Sequence, residues 1–270
     1  MRRFFLFLTS LGLLAACKSN TIDQRGGALA VTFANQVNGS PLVLNTATYT
    51  NKAGEAFTVS KFDYFISNIR LIRADGSAYV VPQDNSYFLL RAADPTSQSF
   101  TLTGVPAGDY AQIEYMVGID SLRNTADISQ RKGVLDPGSS HTSGMYWDWN
   151  TGYIHLKLEG TSPAAPTDVA GARTFRYHIG LYGGYQTRTI NNLRTVRIPL
   201  GLDAASSRLS VGPNLQTSLQ LLVDAGKLFD GPKPFKIAQY PDVMVSPFSA
   251  TIANNYATMF SFGFSLAVSQ

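Results

Sequence analysis

The two tryptophans of this chain, Trp147 and Trp149, stand two residues apart in Gly144-Met145-Tyr146-Trp147-Asp148-Trp149-Asn150. In an extended segment, residues i and i+2 share a face, so the pair would form a broad aromatic surface. The three histidines are His141, His155 and His178. Imidazole suits copper, and the soft sulfur of a residue such as Met145 suits its reduced form. Even intervals separate Tyr153, His155 and Glu159, which predicts one strand face for all three. His178 lies in Phe175-Arg176-Tyr177-His178-Ile179-Gly180, where alternation turns it away from Tyr177 and Ile179. His141 lies in a loop rich in serine and glycine, from which it could swing toward a site. A strand histidine can be a ligand or a hydrogen-bonded structural residue, and spacing leaves both open.

Enzyme chemistry finds no footing. There is no Gly-x-Ser-x-Gly turn for an activated serine, no His-Glu-x-x-His zinc motif and no phosphate-cradling loop. Asp148 and Glu159 are not set apart from other acids as a hydrolytic pair. The expectation is a protein that is not an enzyme.

The first residues read Met1-Arg2-Arg3, and residues 4–16 are apolar with only Thr9, Ser10 and Gly12 intervening. Such a run is shorter than the roughly 20 residues a bilayer span needs, and it fits a secretory signal. Leu14-Ala15-Ala16-Cys17 resembles the lipobox of bacterial lipoproteins, in which the cysteine thiol is acylated. The expectation is a signal peptide over 1–16, a lipidated tether over 17–27 beginning at Cys17, and a folded domain over 28–270. Acyl chains would hold the mature N-terminus on a membrane. Lys18, where inner-membrane lipoproteins carry an acid, favours the outer membrane, with the domain facing the periplasm or the cell exterior. Cys17 is the lone cysteine, so no disulfide can brace the domain.

The elements that must position these residues are strands. About 250 residues remain after a signal peptide, enough for one large domain. Val, Thr, Tyr and Phe, with 13 Tyr and 16 Phe in the chain, favour pleated surfaces. Two of the four net positive charges belong to Arg2 and Arg3, and no basic stripe marks a nucleic-acid surface. Alternation predicts strands over 28–37, 57–72, 79–81, 87–90, 100–102, 110–119, 153–159, 175–179, 193–200 and 215–223. Residues 120–144 read as a loop with a short helix, and 160–171 as an exposed loop. One helical turn is predicted over 224–229. Ser246-Pro247 reads as the cap and first residue of a second helix, in which Phe248, Ile252, Tyr256, Met259 and Phe260 recur at helical spacing. The pattern defines a mainly β chain, an antiparallel β-sandwich with one or two short helices near the C-terminus.

Several stretches in order resemble the MbnP-like family, whose founder is a copper-associated protein of methanobactin gene clusters. They are Phe57-Thr58-Val59-Ser60-Lys61-Phe62-Asp63-Tyr64-Phe65-Ile66, Val105-Pro106-Ala107-Gly108-Asp109-Tyr110, Val117-Gly118-Ile119-Asp120, Met145-Tyr146-Trp147-Asp148-Trp149, Gly152-Tyr153, Leu158-Glu159-Gly160, Tyr177-His178-Ile179-Gly180 and Ile252-Ala253-Asn254-Asn255-Tyr256. The resemblance covers residues 28–260. It implies a β-rich fold and extracytoplasmic copper binding or handling. It further implies a di-haem partner related to cytochrome c peroxidase that oxidises one tryptophan to kynurenine. Trp147 and Trp149 are then the candidates for modification, and His178 is the first candidate ligand. Met145, Tyr153 and Glu159 match the motif and are equally compatible with structural roles. The tail over 260–268 lacks the histidines common near that family's C-terminus, so His178 needs His155, His141 or sulfur to complete a site. The alternative is a non-enzymatic adhesion or binding module whose Trp/Tyr patch meets a glycan or a protein.

Overall fold

A computed structural model describes residues 26–140, 142, 144–147, 152–201 and 208–269. Ten main strands build it: β1 (Gly27–Val37), β2 (Ala56–Ile72), β3 (Tyr87–Arg91), β4 (Ser99–Val105), β5 (Gln112–Val117), β6 (Leu156–Thr161), β7 (Thr174–Ile179), β8 (Arg194–Pro199), β9 (Leu215–Asp224) and β10 (Phe260–Ser269). Three short helices accompany them: α1 (Ser121–Asn124), α2 (Lys227–Asp230) and α3 (Ser249–Tyr256). The predicted signal segment, Cys17, His141 and Trp149 lie outside the described residues.

The strands form two main sheets. In the first the order is β10-β9-β1-β4, and in the second it is β8-β5-β2-β6-β7, ending on the short strand Asp242–Val243. Most pairs are antiparallel, as expected. The exceptions are β1 with β9, in register from Ala28 opposite Gln216 to Gln36 opposite Asp224, and β7 with Asp242–Val243. The 17 residues of β2 make it the spine of the second sheet. It pairs with β6 from Thr58 to Tyr64 and with β5 from Ile66 to Ile72, while β3 takes Asp63 to Ser67.

Alternation explains the packing. In β1, Leu29, Val31 and Phe33 are buried, and in β2 so are Phe62, Tyr64 and Ile66. The two inner faces meet in an aromatic knot. Phe33 touches Tyr64 and Tyr115 edge-on at 6.4 and 5.9 Å, and Phe260 of β10 joins all three within 6.5 Å. Edge-on aromatic contacts of this kind add to the area they bury. Phe229 of α2 seats a second group against Phe57, Phe175 and Tyr177.

A smaller apolar cluster is separate from that core. It joins Phe65, Leu89, Ile119, Leu135, Met145, Tyr153 and Ile154, with Tyr146 and Trp147 packed against it. Phe65 has the parity of Asp63, not of Tyr64, so this cluster lies on the side of β2 turned away from the main core. The excursion between β5 and β6 covers it.

The C-terminal elements depart from the periodicity of the sequence. The predicted turn at 224–229 forms as α2, slightly later. Ser246-Pro247 opens a turn, with the Ser249 amide donating to the Ser246 carbonyl, and α3 follows Phe248. The helical spacing through Met259 and Phe260 is not realised, because α3 stops at Tyr256 and Phe260 begins β10. The Asp224 amide donates to the Met259 carbonyl, so pairing with β9 captures the chain before another helical turn can form.

Candidate functional site

The predicted residues divide among three environments. His155 is fully buried where β5 ends and β6 begins beside β2. The Phe65 amide donates to its carbonyl and the Gly118 amide to the Phe65 carbonyl. The Ile119 amide approaches Nδ1 at 3.4 Å, and Nε2 lies 3.3 Å from the Leu181 carbonyl. That pattern fixes a neutral ring with its proton on Nε2, and no lone pair is left to face a metal. Burial lowers the pKa of His155 to about 4, and Arg194 pushes the same way. Gly118 adopts φ +111°, and a Cβ on it would meet the His155 ring at 2.6 Å, so the imidazole needs glycine there.

Met145 and Tyr153 are fully buried in the smaller cluster. The Tyr153 hydroxyl donates to the Leu135 carbonyl, and its ring meets Phe65 edge-on at 5.6 Å. The Arg131 guanidinium lies over the rings of Tyr146 and Tyr153. These contacts give Met145 and Tyr153 the packing of a local core.

His178 and Glu159 sit in a half-buried, charged setting. Leu156, Leu158, Phe175, Tyr177 and Ile179 face the main core, which turns Lys157, Glu159, Arg176 and His178 to the opposite side. Across the strands, His178 stands opposite Lys157, and Lys157 opposite Asp63. Nε2 of His178 lies 2.7 Å from Oε1 of Glu159, with side-chain exposures of 13% and 25%. Burial first, and then the neighbouring Lys157 ammonium, hold the His178 pKa below its usual value, against the pull of Glu159. A neutral imidazole therefore donates Nε2–H to the carboxylate and keeps its lone pair on Nδ1. Metal-binding histidines are commonly oriented in this way.

Trp147 lies further along, against Gly180 just past the end of β7. It pairs with Gly152 in the hairpin formed by Tyr146–Trp147 and Gly152–Tyr153. Its six-membered ring occupies the space a Cβ on Gly180 would need, 2.5 Å from that position, and the Tyr153 carbonyl is 2.8 Å from the same point. Gly180 is two residues beyond His178, so the indole is brought to the strand that carries the imidazole. The shared face predicted for Tyr153, His155 and Glu159 is thus split. Its covered part holds Tyr153 and His155, and its accessible part holds Glu159.

Three charged residues with no place in the predicted site belong to it. Lys157 is only 6% exposed, and its ammonium donates to the Gly144 carbonyl, tying down the segment that carries Met145 and Trp147. Asp63 pairs with Arg91 at 2.8 Å. Burial raises the Asp63 pKa despite Arg91, and burial lowers that of Lys157. A signal was available in Leu-Lys-Leu-Glu and Lys-Phe-Asp-Tyr, where alternation places charges on one face. Their convergence across three strands depends on register. Among the described residues, no three His, Cys, Asp or Glu side chains converge as a metal cage.

Two packed sheets, a covered excursion between β5 and β6, and an imidazole–carboxylate pair beside an indole define a β-sandwich with a site on the outward face of one sheet. The MbnP family model matches residues 26–245, and the chain belongs to the MbnP family. Its fold is that of MbnP from Methylosinus trichosporium, with a TM-score of 0.52 at 20% identity, covering 78% of this chain and 79% of that one. No curated protein sequence matches the chain.

Proposed function

We propose that this protein is a non-enzymatic copper-handling member of its family, held on the outer membrane through lipid on Cys17. Copper is its cargo, and Nδ1 of His178 is the contact. The carrying observation is the His178–Glu159 pair. The carboxylate fixes Nε2–H at 2.7 Å, while no described residue bonds Nδ1. One oriented imidazole makes an open contact, in which the remaining positions are filled by donors of whatever carries the metal. Such an arrangement suits receipt and release better than a closed cage does. Trp147, seated against Gly180, is the proposed substrate of a di-haem partner, and its kynurenine carbonyl and aniline nitrogen would add donors beside the strand that carries His178.

The test is metal analysis of protein from copper-replete cells, followed by competition with a copper chelator. Wild type is expected to retain copper, and His178→Ala to lose it. Glu159→Gln keeps an acceptor for Nε2–H but removes the carboxylate charge that raises the ring's basicity, and should weaken retention by about 10-fold. Sub-stoichiometric copper that His178→Ala leaves unchanged would remove the proposal. Intact-mass spectrometry addresses the oxidation. Oxidative opening of the indole by the partner's oxidant adds two oxygens, and hydrolysis by water then releases the formyl group as formate and leaves an N–H in its place, so kynurenine has one oxygen more and one carbon fewer, a net gain of about 4 Da.

A further inference from the structure

The two sheets have opposite outer surfaces. That of the second sheet is dense with ion pairs: Arg70 and Arg197 on Glu114, Arg91 on Asp63, and Arg176 on Asp242. That of the first carries no charge across three successive rows. On the edge strand β10, Phe264, Leu266 and Val268 point outward and are 51%, 55% and 49% exposed. They face Gln220, Ser218 and Gln216 of β9, and beyond these lie Thr32, Ala30 and Ala28 of β1. Edge strands usually carry charge or proline to discourage association. The segment Phe-Ser-Phe-Gly-Phe-Ser-Leu-Ala-Val-Ser of β10 carries neither.

The start of the sheet indicates what covers this face. β1 begins at Gly27, and the row through Ala28 and Gln216 ends on Val268. Two strand spacings separate the ends of that row, about 10 Å. Residues 17–26 reach at most about 35 Å from an acylated Cys17. The apolar stripe therefore starts well within the radius to which the anchor confines the bilayer.

Building on the lipid anchor proposed above, we propose that the uncharged outer face of the first sheet, led by Phe264, Leu266 and Val268, docks on the surface of the membrane that holds the anchor. This would lay the sandwich on its side and turn the charged face with His178 away from lipid, toward soluble partners.

The test uses the full-length lipidated protein carrying Leu266→Cys, labelled with a thiol-reactive environment-sensitive fluorophore. It is reconstituted on vesicles of phosphatidylethanolamine and phosphatidylglycerol. Val169→Cys, in the exposed loop between β6 and β7, is the control. An acylated Cys17 takes no dye, so one dye per chain is expected. Aqueous iodide should quench the dye at 266 about threefold less than at 169, and a lipid-borne quencher should quench it more. Equal iodide quenching at both sites with one dye per chain would overturn docking and leave the anchor standing. Protection at 266 that persists without vesicles and grows with protein concentration would overturn it in favour of a second copy paired on β10. Two dyes per chain would show a free Cys17 and remove the anchor itself.

Discussion

Protonating His155 means placing a cation in a fully buried cavity where Arg194 adds to the penalty. The folded chain refuses the proton down to about pH 4, whereas the unfolded chain accepts it near 6.5. Stability from this residue is therefore complete above pH 6.5 and falls as pH drops toward 4, by about 3 kcal/mol in all. Denaturant unfolding at pH 7 and pH 4.5 should show wild type losing about 2 kcal/mol more than His155→Gln. Equal losses would mean that the ring is solvated. Gly180 permits a second residue-scale test. A methyl there meets the Trp147 ring at 2.5 Å. Gly180→Ala is expected to cost about 1–3 kcal/mol through overpacking and to shift tryptophan fluorescence to longer wavelength. An unchanged spectrum would mean that the indole does not rest on Gly180.

Among the elements, the hairpin bearing Trp147 is held to the second sheet by the Lys157–Gly144 bond as well as by the smaller cluster. A buried ammonium with one hydrogen bond is costly, and replacing it with an apolar chain of similar length is often neutral for global stability. Lys157→Met is accordingly expected to leave the unfolding midpoint nearly unchanged while raising amide exchange at residues 144–147. A falling midpoint with unchanged exchange would contradict the clasp. The junction of α2 and α3 depends on Asn255, which is fully buried. Its amide donates to the Leu228 and Lys233 carbonyls, and its Oδ1 accepts from the Lys233 amide. Asn255→Ala strands these backbone groups and should cost about 3 kcal/mol, measured by denaturant unfolding. These clasps could not be read from the chain. The alternation in β6 and β7 shows which side chains face outward, but the partner of Lys157 is a backbone carbonyl, to which no side-chain pattern points.

For the molecule as a whole, the family match ends at residue 245, but the sheet does not. β10 covers the edge of β9, and Phe260 fills the knot of Phe33, Tyr64 and Tyr115. A chain ending at 245 would leave β9 as a bare edge and a hollow between the sheets. It is expected to be insoluble or to lose cooperative unfolding in calorimetry. A soluble truncation with a sharp transition would show that β10 is an accessory.

The sequence by itself determined the strand content, the outward face of His178 and the family. Each follows from local order: period-2 alternation, β-branched and aromatic composition, and short motifs in series. Local order also misled at the C-terminus, where Met259 and Phe260 fit a helix until pairing with β9 drew them into β10. Only the tertiary structure decided that His155 is closed on both nitrogens and that His178 is paired with Glu159. The same holds for the seating of Trp147 on Gly180. Each depends on strand register and on the excursion between β5 and β6, which bring together residues far apart in sequence through contacts that leave no spacing in the chain.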